Sequence, residues 1–186
     1  MLLSMNIPNL LTLLRIGLIP VLVLCYYLPY SWAAMASGAI FAIAAVTDWL
    51  DGYLARRWDQ SSALGAFLDP VADKLMVSIA LVLLVETFAQ SWMTIPAMII
   101  IGREIVISAL REWMAELGKR ASVAVSNIGK IKTTLQMISI FVLIAFEPYS
   151  MISWAGVAAL YAAALLTLWS MILYLKSAWP DLTEEL

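Results

Sequence analysis

The chain has 186 residues, of which 63% are hydrophobic and only 13% charged. Soluble domains carry roughly 25% charged residues, so this composition excludes a water-soluble globular protein and suits one domain, 1–186, whose apolar surface meets membrane lipid. The net charge of −2 says little about partners, and with neither a basic tail nor an acidic run nothing suggests nucleic acid.

A transmembrane helix needs about 20 apolar residues, and turn-like or charged breaks divide the chain into six such stretches, predicted at 10–28, 32–57, 63–85, 93–117, 125–146 and 152–175. The apolar run 16–28, followed by the small residues Ala34 and Ala36, resembles a secretory signal. It lacks a basic leader, Arg15 stands at the edge of the run, and hydrophobic segments continue to Lys176, so it reads as a retained first span. Cys25, the single cysteine, lies in this run as a small hydrophobe with no intrachain disulfide partner.

Six spans place both termini on one side. None of the eleven Lys and Arg residues lies in the alternate breaks at Pro29, Glu86 and Pro148, whereas the opposite ends carry Arg56, Arg57, Lys119, Arg120, Lys130, Lys132 and Lys176. By the positive-inside rule those ends, and both termini, face the cytoplasm. The expected fold is an all-α membrane protein, a bundle of six transmembrane helices with its site opening to the cytoplasmic side.

The second and third spans carry acids where lipid should be. Asp48, Asp51, Gly52, Ala55 and Arg56 fall at helical spacing on one face, and Gly65, Asp69 and Asp73 repeat every four residues on another. Gly52, Ala55 and Gly65 let the backbones of the two helices approach. An ionised acid near the bilayer centre costs at least about 2.5 kcal/mol, so something positive must sit among the four. Arg56 and Lys74 can offset two charges, but a divalent cation matches convergent oxygens better. Oxygen-only ligation, with no histidine in the chain, favours Mg²⁺, Mn²⁺ or Ca²⁺ over zinc. Two metals bridged by a carboxylate lie about 3.5–4 Å apart, the arrangement that stabilises a phosphoryl displacement. Structural salt bridges are disfavoured because acids outnumber nearby bases and because Asp69-Pro70 gives up a helix hydrogen bond. A proton or cation path through a carrier is the other alternative, and carriers commonly show inverted repeats that this chain lacks.

The spacing Asp-x2-Asp-Gly-x2-Ala-Arg-x8-Gly-x3-Asp-x3-Asp over residues 48–73 resembles the signature of the CDP-alcohol phosphotransferase family at all of its fixed positions. The resemblance implies six transmembrane helices, paired as a homodimer, with a site open to the cytoplasm. It also implies that Asp48, Asp51, Asp69 and Asp73 hold two divalent ions, Mg²⁺ or Mn²⁺, that Asp73 acts as general base, and that Gly52, Ala55 and Arg56, with Gly65, lie against the cytidine nucleotide and its diphosphate.

Three further stretches, Asn6-Ile-Pro-Asn-Leu-Leu-Thr-Leu-Leu-Arg15, Gly102-Arg-Glu-Ile-Val-Ile-Ser-Ala-Leu-Arg-Glu-Trp113 and Gly129-Lys-Ile-Lys-Thr-Thr134, are similar to the branch of the family whose acceptor is sn-glycerol 3-phosphate. They imply transfer of phosphatidyl from CDP-diacylglycerol to that acceptor with release of CMP, in the bacterial cytoplasmic (inner) membrane. Relatives using serine, inositol phosphate or phosphatidylglycerol share parts of these stretches. Arg103 and Arg111, eight apart, share a helical face, and an intramembrane arginine is costly unless it meets an anion. Lys130 and Lys132 cannot share a face, so one is expected to bind the acceptor phosphate and the other to contact lipid headgroups. Glu104 is expected to pair with a buried arginine, and Glu112 and Glu116 to be solvated.

Overall fold

In lipid every backbone N–H and C=O must be bonded within its own segment, so apolar runs of this length fold as helices. The computed structural model describes residues 7–58, 63–116 and 127–183, with side chains described for all of these except 7–8, 49, 51–56, 58, 63–64, 66, 127–130 and 180–183. The described residues form six α-helices and no strand: α1 (Ile7–Tyr26), α2 (Ala33–Trp58), α3 (Ala63–Phe88), α4 (Ser91–Glu116), α5 (Asn127–Ala145) and α6 (Met151–Thr183). All six expected segments are present. α6 runs past its expected end at 175, and its 33 residues make about 50 Å of helix, too long for a hydrocarbon layer of about 30 Å alone.

The helices close a ring in the order α1, α2, α5, α6, α4, α3, and α3 also touches α2 and α5. The helix bearing Asp69 and Asp73 therefore packs on four others. Its buried side chains Met76, Leu81 and Leu84 meet Leu22, Phe41, Met93, Ile100, Ile140 and Leu160 in one apolar core. The outer surface is apolar too: Leu24, Val46, Met98, Ile105 and Leu165 are each more than half exposed, the inversion expected when lipid is the solvent. α1, α4 and α6 contain stretches long and apolar enough to cross a membrane, Asn9–Tyr26, Ser91–Glu116 and Met151–Trp179, while α2 and α5 have shorter ones, Ala33–Asp48 and Ile131–Ala145.

Close helix approach rests on small residues. A Cβ on Gly38 of α2 would meet the Ala145 Cβ of α5 at 2.7 Å, and one on Gly156 of α6 would meet Val142 and Leu143 of α5 at 3.0 and 3.1 Å. Ser139 Oγ donates to the Gly156 carbonyl at 2.9 Å, a bond that closeness permits. At one end of the bundle the rings of Phe88, Trp92, Tyr149 and Trp154 cluster with centroids 5.2–6.5 Å apart. The Tyr149 hydroxyl donates to the Phe88 carbonyl at 3.1 Å and that of Tyr161 to the Trp92 carbonyl at 2.7 Å, tying the α3–α4 turn to α5 and α6. This end carries Glu86 and Glu147 but no Lys or Arg, which leaves the basic groups to the rest of the bundle. Cys25 is buried, its Sγ 3.8 Å from the Ala33 carbonyl.

Candidate active site

Polar residues in α1 recur every three positions, at Asn9, Thr12 and Arg15, and all three are buried. Helical spacing sends them to one side, toward α2 and α3. Thr12 Oγ1 donates to Asp69 Oδ1 at 2.5 Å, and Arg15 Nη1 lies 2.6 Å from Asp48 Oδ1. Arg15, 1% exposed, is thus no boundary residue but the buried cation that meets the first acid of the signature. A period of three among polar residues in an apolar helix was the available signal for this role.

Asp73 stands one turn beyond Asp69 on α3. With Arg15, Asp48, Phe41, Ala44, Met76 and Met137 it faces a crevice of about 10 Å³, which brings the first and last acids of the signature to one place. On its other side Asp73 lines a cavity of about 270 Å³ with Lys74, Arg103, Glu104, Arg111, Lys132, Gln136, Ser170 and Tyr174 among its walls. Four cations and two acids share this space, and their formal excess is positive. The expected acceptor residues Arg103, Arg111 and Lys132 are brought together here, with Lys132 4% exposed. The side chains of Asp51, Gly52, Ala55, Arg56 and Lys130 lie outside those described. Gly65 is buried on α3.

Each cation is held by a neighbour. Arg111 Nη2 donates to the Tyr174 hydroxyl at 2.9 Å, and the guanidinium carbons of Arg111 and Arg103 lie 5.2 and 5.8 Å from the centre of the Tyr174 ring. Both arginines therefore gain from the same ring. Glu104 pairs with Arg103 at 3.0 Å, as expected of a buried arginine, and also with Lys132 at 3.3 Å. Lys74 Nζ donates to Ser108 Oγ, so it is Arg15 rather than Lys74 that meets Asp48. Glu112 and Glu116 are exposed. A second, largely apolar recess of about 340 Å³, walled by Ala45, Val46, Thr133, Thr134, Met137 and Ile138, opens beside Asp48 between α2 and α5.

Among the described residues no three acids converge as metal ligands. The donor chemistry nonetheless fits a hard divalent ion: Asp48 and Asp69 present oxygen only, and each is oriented through one oxygen by a side chain of α1, as outer partners orient ligating carboxylates.

The fold and this site define an integral membrane protein that handles a phosphate ester where apolar and charged surfaces meet. The chain belongs to the CDP-alcohol phosphatidyltransferase family, whose model matches residues 5–169. Family membership implies a divalent metal. The chain is similar to proteins named CDP-diacylglycerol–glycerol-3-phosphate 3-phosphatidyltransferase: it is 60% identical to that of Pectobacterium atrosepticum over 179 residues, covering 96% of this chain and 98% of the relative. It is 59% identical to that of Salmonella choleraesuis and 58% to that of Escherichia coli, each over 180 residues, 97% of this chain and 98% of the relative.

Proposed function

We propose that this chain transfers the phosphatidyl group of CDP-diacylglycerol to the 1-hydroxyl of sn-glycerol 3-phosphate, giving phosphatidylglycerophosphate and CMP. The observation that carries this reading is the cation-rich cavity against Asp73: Arg103, Arg111 and Lys132 offer the acceptor phosphate a dianion's complement within the same space as a signature carboxylate. The curated relatives that carry this activity in their names match along nearly the whole chain.

The cations fix the acceptor by its phosphate, which leaves its far hydroxyl toward Asp73. Asp73 takes the hydroxyl proton as the oxygen bonds to the β-phosphorus. The bond from that phosphorus to the bridging oxygen breaks, and CMP leaves. Asp48, Asp51, Asp69 and Asp73 hold Mg²⁺ or Mn²⁺, two ions, which when bound offset charge on the diphosphate and the leaving oxygen. Gly52, Ala55, Arg56 and Gly65 lie against the nucleotide and diphosphate, and Arg15 and Thr12 hold the acids Asp48 and Asp69 in place. The apolar recess beside Asp48 suits the acyl chains of a lipid donor, which stay in the membrane while the headgroup reaches the acids.

The same reading takes the chain as a single domain, 1–186, crossing the bacterial cytoplasmic membrane six times with both termini cytoplasmic, and working as a homodimer. The distribution of Lys and Arg along the sequence supports the orientation, and the homodimer is what the family resemblance implies. The deciding experiment gives purified protein labelled CDP-diacylglycerol and competing acceptors. Phosphatidylglycerophosphate is expected as the product. A product from serine, inositol phosphate or phosphatidylglycerol in its place would move the chain to another branch of the family.

A further inference from the structure

Most polar atoms on the cation-rich cavity are engaged. Lys74 donates to Ser108, Arg111 to Tyr174, Arg103 and Lys132 to Glu104, and Ser170 Oγ donates to the Thr167 carbonyl at 2.8 Å. Gln136 differs. It lines the cavity at 4% exposure, one helical turn from Lys132 on the same face of α5, and its Oε1 is buried with no hydrogen-bond partner. Burying an amide oxygen unpaired costs free energy that an apolar side chain would avoid, so the position calls for a ligand that donates to it.

Among the described residues lining the cavity, Arg103 Nε is also buried without a hydrogen-bond partner. That donor suits a phosphate oxygen; the Gln136 oxygen, which can only accept, cannot serve a phosphate dianion and suits a hydroxyl. On the proposed function, the acceptor has two hydroxyls. The one at C1 gives its proton to Asp73, and the one at C2 takes no part in the chemistry.

We infer that Gln136 Oε1 accepts a hydrogen bond from the 2-hydroxyl of the acceptor and makes the site selective for a glycerol phosphate over a phosphorylated alcohol lacking that group, an inference that rests on the proposed function. Sites with a buried polar group of this kind reject the analogue that leaves it unpaired.

The test compares CMP release by the full-length protein in mixed micelles containing CDP-diacylglycerol, with sn-glycerol 3-phosphate or 3-hydroxypropyl phosphate as acceptor. The second keeps the phosphate and the attacking primary hydroxyl and lacks the 2-hydroxyl. The unsubstituted chain is expected to favour the glycerol ester in kcat/KM by about 10-fold or more. In Gln136→Met, of similar size, the ratio should fall toward about 1 through loss on the glycerol ester alone, and Gln136→Leu should repeat the result. Activity on the hydroxypropyl ester itself reports that each variant is folded. A ratio near 1 in the unsubstituted chain, or variants that slow both acceptors equally, overturns the inference alone. No CMP release by the unsubstituted chain with either acceptor overturns the proposed function beneath it as well.

Discussion

Arg15 and Asp48 form a 2.6 Å ion pair in which the guanidinium side is 1% exposed and the carboxylate side 39% exposed. Breaking a fully buried pair costs about 3–5 kcal/mol because an uncompensated charge stays behind, and the exposure of Asp48 reduces that. Arg15→Met is therefore expected to destabilise the bundle by about 1–3 kcal/mol and to slow CMP release at least about 10-fold, through a misoriented Asp48. Thermal unfolding in detergent and single-turnover kinetics measure the two effects. Arg15→Lys, which keeps the charge without the planar fork, should fall between. An unchanged midpoint and rate in Arg15→Met would mean that Asp48 keeps its position without α1.

The two ends of the acid signature separate by role. Asp73→Asn keeps shape and cannot take a proton, so turnover should fall by at least the roughly 10²-fold typical of removing a general base while CDP-diacylglycerol still binds with divalent metal. Asp48→Asn should lose binding and turnover together. Metal-dependent binding of the nucleotide lipid and single-turnover CMP release are the two readouts. CMP release at the unmodified rate in Asp73→Asn would send the proton to another acid or to water.

Oxygen ligands hold Mg²⁺ and Mn²⁺ reversibly. Exhaustive chelation should abolish CMP release, and adding back Mg²⁺ or Mn²⁺ should restore it, with Zn²⁺ ineffective for want of nitrogen or sulfur ligands. Full activity after chelation would remove the metal from the reading.

Arg111 donates to the Tyr174 hydroxyl and stacks on its ring. Replacing it by Ala should raise the KM for sn-glycerol 3-phosphate about 10-fold or more, as expected for one charge-assisted bond, and change that for CDP-diacylglycerol little. Equal effects on both substrates would assign the residue to packing against α6.

Gly38 has no room for a side chain, since its Cβ would stand 2.7 Å from that of Ala145. Gly38→Val should part α2 from α5 and destabilise the protein by about 1–3 kcal/mol, the usual cost of overpacking. The unfolding midpoint in detergent measures this, and an unchanged midpoint would show that α5 yields at no cost.

The sequence by itself determined the solvent and the local periodicities. Its 63% hydrophobic residues require lipid, its breaks set six helices, and the spacing of Asp69 with Asp73 and of Arg103 with Arg111 sets which side chains share a face, because one helical turn is a property of the backbone. Tertiary structure decided which faces meet. Arg15 reaches Asp48 across 33 residues, Thr12 reaches Asp69 across 57, and Tyr174 lies beside Arg111 across 63. The place of Lys132 on the cavity, and the isolation of Gln136 Oε1, likewise follow from how α5 is turned. In lipid every apolar face is equally soluble, so hydrophobic pattern cannot tell a packed face from an exposed one. Steric fit at Gly38 and Gly156 and the pairing of buried charges make that choice, and both exist only once the helices are side by side.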